Sequence, residues 1–149
     1  MEVYMKRIED IICHAASHGD IKTVRDLLDK NPHLANAVGS GINKWTPLHL
    51  ASAGNDCEMA SLLIERGARV DSRGNAGETP LHLADHIDMA RLLISKGSDP
   101  NPKDRNGMTP LDFSMVEGNT ELVKFLVSKI DPEVKVLVLP PGEIRKEWN

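Results

Sequence analysis

Thr46-Pro47-Leu48-His49-Leu50-Ala51 returns as Thr79-Pro80-Leu81-His82-Leu83-Ala84, and its head returns again as Thr109-Pro110-Leu111. Thirty-three residues separate Thr46 from Thr79, and 30 separate Thr79 from Thr109. The residues after each copy recur as well: a short apolar helix pattern, a second one ending in Leu-Leu or Phe-Leu, and twice a basic residue before glycine. Self-similarity near this period marks a repeat solenoid, in which each unit buries its apolar face only against its neighbours. Local chemistry explains the recurring head of the unit. A threonine at a helix entry accepts from an orphan backbone N–H, and proline fits the first turn, where no N–H is required.

The unit from Trp45 to Val70 is the most complete. Leu48, Leu50 and Ala51 supply one apolar face before Gly54-Asn55-Asp56 interrupts it. Met59, Leu62 and Leu63 then recur at helical spacing over roughly Cys57 to Arg66, and Gly67 suits the left-handed position after the helix. Two antiparallel helices joined by a tight turn are predicted. With Gly67-Ala68-Arg69-Val70-Asp71, Gly97-Ser98-Asp99-Pro100-Asn101 and the turn Asp104-Arg105-Asn106-Gly107, the Thr-Pro-Leu-His stretches resemble the ankyrin repeat family. The resemblance covers about residues 8–130. It implies an all-α solenoid of stacked helix-turn-helix units with β-hairpin loops, and a function in protein recognition.

Four units are expected, over about 8–40, 41–73, 74–103 and 104–130, forming a domain of residues 1–130. The first lacks Thr-Pro-Leu but keeps Ala15-Ala16, Gly19-Asp20, Val24, Leu27 and Leu28, with Lys6, Arg7, Glu9 and Asp10 on a solvent-facing side. Val38-Gly39-Ser40 enlarge the connection after it. The third unit is three residues short. Alignment of Cys57-Glu58-Met59-Ala60 with Ile87-Asp88-Met89-Ala90 puts the loss at Asp85-His86, predicting a clipped first helix and a turn of Asp85, His86 and Ile87. In the fourth, Asp112 stands where His49 and His82 stand. Residues 131–149 form a C-terminal extension: an expected strand over Val134–Leu139, then a polar tail. The strand either caps the last repeat, which is the expectation, or pairs with a partner.

The net charge of −4, with no long Lys/Arg run, argues against general nucleic-acid binding. No apolar stretch is long enough to span a bilayer, and the charges of Lys6, Arg7, Glu9 and Asp10 break any signal-peptide pattern. Cys13 and Cys57 lie in apolar helix patterns and read as buried, reduced thiols of a cytoplasmic protein.

His49 and His82, at equivalent helix starts, are expected to brace the adjoining turn rather than to catalyse or bind metal; the resemblance implies the same. His14 and His18, like His82 and His86, are four apart, which on a helix gives one face suited to Zn²⁺. No Cys-x₂-Cys or His-Glu-x-x-His pattern organises them, so no metal, cofactor or catalytic residue is expected. Structural roles fall to Thr46, Pro47, His49, Gly67, Thr79, Pro80, His82, Gly97, Thr109 and Pro110. By position in the resembled family, partner contacts fall to Ile42, Asn43, Trp45, Arg73, Asn75, Glu78, Lys103, Arg105, Asn106 and Met108 on the hairpins, and to His18 and Glu117 at the far turns. Ser17, Ala53 and Val116, on the first helices, are expected contacts by the same positional argument. Two roles are open to Trp45: an interface anchor on an exposed ridge, or a cover for the Val38–Ile42 loop.

The expected function is a monomeric, non-catalytic module that docks a protein partner on a concave surface. A regulatory inhibitor or immunity-type protein that occludes an enzyme or toxin is the alternative. A metal-dependent hydrolase built on Cys13, His14 and His18 is a further alternative.

Overall fold

The structure, a computed structural model, describes residues 2–130, with side chains from residue 7 onward. The expected extension therefore lies outside the described residues. Among the described residues eight α-helices succeed one another: α1 (Glu2–Ser17), α2 (Ile21–Lys30), α3 (Pro47–Ala53), α4 (Cys57–Glu65), α5 (Pro80–Leu83), α6 (Ile87–Ser95), α7 (Pro110–Val116) and α8 (Thr120–Ile130). A 3₁₀ turn, Pro32–Asn36, closes the first unit. Each pair forms a hairpin, and first helices stack on first helices: α3 lies between α1 and α5, and α5 also packs on α7. Second helices stack likewise, α4 on α6 and α6 on α8. The result is an all-α solenoid.

Its core consists of rows made by the same slot of successive units. Met59, Met89 and Leu122 form one row, Leu63, Leu93 and Leu126 another, and each of these residues is at most 2% exposed. Leu48 and Leu81 do the same among the first helices, at 0% and 1%. Ala51, Ala60 and Ala90 are fully buried and let the helices approach closely. Burial of a leucine contributes roughly 1.5–3 kcal/mol, so the rows, not the short helices' own propensity, hold the stack.

The connections are tighter than the expected β-hairpins. Among the described residues no strand forms; one backbone bond spans each connection, Gly39 N to Trp45 O (3.1 Å), Gly74 N to Glu78 O (2.8 Å) and Asp104 N to Met108 O (2.9 Å), and a single turn bond lies inside it. The first loop is the longest, and Lys44 adopts positive φ (54°) within it. Asp10 secures it, accepting from the Ser40 amide (2.8 Å) and hydroxyl (2.9 Å). The sequence places that aspartate on a merely solvated side. These hydrogen bonds hold its carboxyl below the usual carboxylate value.

Candidate functional site

The edge of the solenoid that carries the loop tips is built from the helix entries upward. The Thr46 amide donates to His49 Nδ1 (3.2 Å), and His49 Nε2 lies 3.0 Å from the Glu78 carbonyl of the next repeat. An amide only donates and a carbonyl only accepts, so the ring is the neutral tautomer carrying its proton on Nε2. The next repeat copies this arrangement. Thr79 N donates to His82 Nδ1 (3.0 Å), and His82 Nε2 reaches the Met108 carbonyl (2.9 Å). Burial pushes both imidazoles below their ordinary value, while the accepting carbonyls of Glu78 and Met108 pull the other way. In the fourth unit Asp112 Oδ2 accepts from Thr109 N (2.8 Å) and Oγ1 (3.0 Å). A carboxylate has no second nitrogen, so it caps its own helix without reaching onward.

The loop tips are linked in series: Asn75 N donates to Asn43 O (2.7 Å), and Arg105 N to Ala76 O (2.9 Å). Their approach is close enough to require glycine at Gly77, where φ is +80° and a Cβ would fall 2.9 Å from Arg105 N. Arg73 reinforces the link, its Nη1 donating to Gly77 O (2.9 Å) and Lys103 O (2.6 Å). Its guanidinium is thus engaged within the ridge.

Ile42, at 88% exposure, is the most prominent apolar side chain among the described residues, and Asn43, Asn75, Lys103, Arg105 and Asn106 are exposed on the same ridge. Met108 is half-buried, and its carbonyl is the acceptor of His82. Glu78 corrects the expectation of a surface contact: it is only 6% exposed. Its carboxylate lies under Gly74, where any Cβ would collide with it, and Oε1 accepts from Trp45 Nε1. Its Oε2 is buried without a partner among the described residues. Trp45 is accordingly half-buried, its indole turned towards the following repeat. His18 and Glu117 are exposed, but they lie at the inter-helix turns, a helix length of about 10 Å from the ridge. The twelve residues therefore form two groups at opposite ends of the first helices.

Those turns have their own regularity. Asp20, Asp56 and Asn119 each accept from the amide three residues on, at 3.1, 3.0 and 3.2 Å, and so start α2, α4 and α8. The third unit breaks the pattern. α5 is four residues long, the turn is Ala84–His86, and Ile87 already begins α6, one residue earlier than expected. His86 occupies the cap position and makes no side-chain cap bond. With the helix ended at Leu83, His82 and His86 do not share a face. Asp85 is instead held from both sides, by the Asn55 amide on its Oδ1 and the Asn119 amide on its carbonyl. Beside this turn opens a cleft of about 290 Å³, lined by Leu83, Ala84, Asp85, Phe113, Glu117 and neighbours.

Metal chemistry finds no cluster among the described residues. The His14 and His18 rings stack at 4.1 Å, and His18 Nδ1 lies 2.9 Å from the His14 carbonyl. Cys13 sits apart under the first loop, near Trp45 O (3.9 Å), and burial pushes its thiol up to about 12. Cys57, expected to be buried, is half-exposed at the start of α4.

Sequence reasoning missed the polar rungs between units. Asn36 donates to Gly67 O (2.9 Å) and accepts from Arg69 N (2.8 Å). Asp71 takes the Ser98 hydroxyl (2.9 Å) and Asp99 amide (3.2 Å) one unit later. In the sequence these read as ordinary loop polars; their near-repeat spacing was the available signal.

Known families match this arrangement. The profile described as ankyrin repeats (3 copies) matches residues 12–104, and that of ankyrin repeats (many copies) matches residues 84–127. The chain belongs to the ankyrin repeat family. It is 44% identical over 68 residues to the E3 ubiquitin-protein ligase XBAT33 of Arabidopsis thaliana, a match covering 45% of this chain and 13% of the ligase. A putative ankyrin repeat protein of Rickettsia felis is 40% identical over 68 residues, 46% of this chain and 29% of that protein. Ankyrin repeat protein OPG189 of vaccinia virus (strain Copenhagen) is 40% identical over 48 residues, 32% of this chain and 9% of that protein. The chain thus matches only a small part of these relatives. Ankyrin repeats are protein-interaction modules, and no described helix is long and apolar enough to cross a membrane.

Proposed function

We propose that the chain binds a protein partner through the linked loop tips, centred on Ile42, with Lys103, Arg105 and Asn106 at the other end of the ridge. The observation that carries this reading is Ile42 itself: an 88% exposed isoleucine at the tip of a loop that Asp10 holds in place. A small cleft of about 200 Å³, lined by Cys13, Ile42, Trp45 and Leu50 among others, opens beside it. An apolar side chain on a rigid loop offers contact area with little ordering entropy to lose. Binding is by docking to a preformed surface, without cofactor or intrinsic catalysis, and the chain acts as a cytoplasmic monomer. The ligase activity in the relatives' names does not extend to this reading, because the match covers 13% of each ligase compared.

The test is co-purification of a partner on the immobilised chain, identified by mass spectrometry, with Ile42→Asp and Arg105→Ala as variants. Both side chains are exposed, so folding is expected to be unchanged. Loss of the partner in both supports the reading, and undiminished capture by both overturns it. Trp45→Ala is a poor probe, because it strands the buried Glu78 carboxylate.

A further inference from the structure

The cleft beside the clipped third repeat has a physical origin. α3 and α7 run to Ala53 and Val116, whereas α5 stops at Leu83. The last turn of α7 therefore has no helical neighbour in the preceding unit, and Phe113 is only half-covered. The floor that remains is apolar, made by Leu83, Ala84, Phe113 and Leu122. The rim carries two exposed carboxylates, Asp85 and Glu117, and among the described residues neither lysine nor arginine lines the cleft. Of the two histidines at hand, His82 is kept neutral by burial, and His86 faces Asp85 Oδ1 at 2.6 Å.

We infer that this cleft receives a lysine or arginine side chain of the bound partner, its alkyl stem over Phe113 and Leu83 and its cationic head between Asp85 and Glu117. Size permits one long side chain: the cleft holds about 290 Å³. Chemistry agrees as well. Long basic side chains cover apolar surface with their methylenes while the head stays wet, and a ring face adds cation–π attraction. The carboxylates alone would contribute little at an exposed rim, so selectivity arises from stem and head together. Asn55 and Asn119 hold the Asp85 turn at both sides, so the rim is preformed. This inference rests on the partner-binding reading above, and places a second contact at the inter-helix turns, at the opposite end of the first helices from the ridge.

The probe is Nα-acetyl-arginine methylamide, titrated into the isotopically labelled full chain and followed by the backbone amide resonances of Leu83, Ala84, Phe113 and Glu117. The citrulline analogue has the same shape without the charge. Saturable shifts at these amides are expected, with affinity reduced about two- to fivefold for citrulline and for Glu117→Arg, whose side chain is exposed. Shifts scattered elsewhere, equal binding of citrulline, or no effect of Glu117→Arg would overturn the assignment. If Arg145→Ser with Lys146→Ser moves the same amides without ligand, the chain's own end is the occupant and the partner assignment fails. A captured partner that is lost in Ile42→Asp but retained in Glu117→Arg sinks the cleft and leaves the ridge. Specific arginine shifts with no partner captured do the reverse.

Discussion

The second and third repeats begin with the same six-residue pattern and end in the same Gly-bounded turn, yet they differ by three residues. In the second, α3 runs seven residues and Asp56 caps α4. In the third, α5 runs four, and His86 stands uncapped at the head of α6. The helix entry is retained: the threonine, the neutral histidine and its reach to the next carbonyl. The core rows are retained too, Met59 and Leu63 matched by Met89 and Leu93. A solenoid is coupled mainly through such repeated contacts between neighbours, so a deletion outside them opens a cleft without unstacking the units.

The largest expected effects test whether the clipped repeat is as well packed as the complete one. Leu63→Ala and Leu93→Ala, both from fully buried positions, should each destabilise by roughly 2–5 kcal/mol in urea unfolding, with similar values for the two. A much smaller loss at Leu93 would show that the deletion loosens the second-helix row. Next comes the histidine relay. His49→Ala and His82→Ala should each cost about 1–3 kcal/mol, because each strands a carbonyl and a helix entry, whereas Asp112→Ala should fall in the lower part of that range.

Smaller effects separate the two turns. Asp56→Ala should cost about 0.5–2 kcal/mol through loss of its cap. His86→Ala should be nearly neutral and His86→Ser stabilising, since the third repeat has a vacant cap to fill. An equal loss at Asp56 and His86, read from melting temperatures, would erase the distinction. The pH dependence is gradual. Folding depresses both relay histidines below their ordinary 6.5, so the unfolded chain binds protons first. Their stabilisation is complete above that value and declines as pH falls through it towards the folded values, by at most about 1.4 kcal/mol per pH unit for each ring. Denaturation at pH 7.5 and 5.5 should show the decline, and His82→Gln should reduce it; a flat profile would mean that the rings are not held neutral.

Much of the molecule is legible in one dimension because repetition multiplies the signal. Thr46 and Pro47 alone suggest a helix start; their recurrence at Thr79 and Thr109 defines a stack, and the 30-residue interval locates the irregular unit. The polar surface is less legible. Glu78 and Arg73 look like solvated charges on a loop, yet one lies buried beneath Gly74 against Trp45 and the other binds the carbonyls of two tips. Asp85 reads as a turn residue and proves to be the bridge between Asn55 and Asn119.

The sequence by itself determined the architecture, the family and the position of the shortened helix, because these derive from periodic burial and local capping, which are written along the chain. Tertiary structure alone decided which ridge side chains remain available and what the deletion leaves behind. Those outcomes depend on how closely neighbouring units approach, and on which polar atom finds a partner 30 or so residues away.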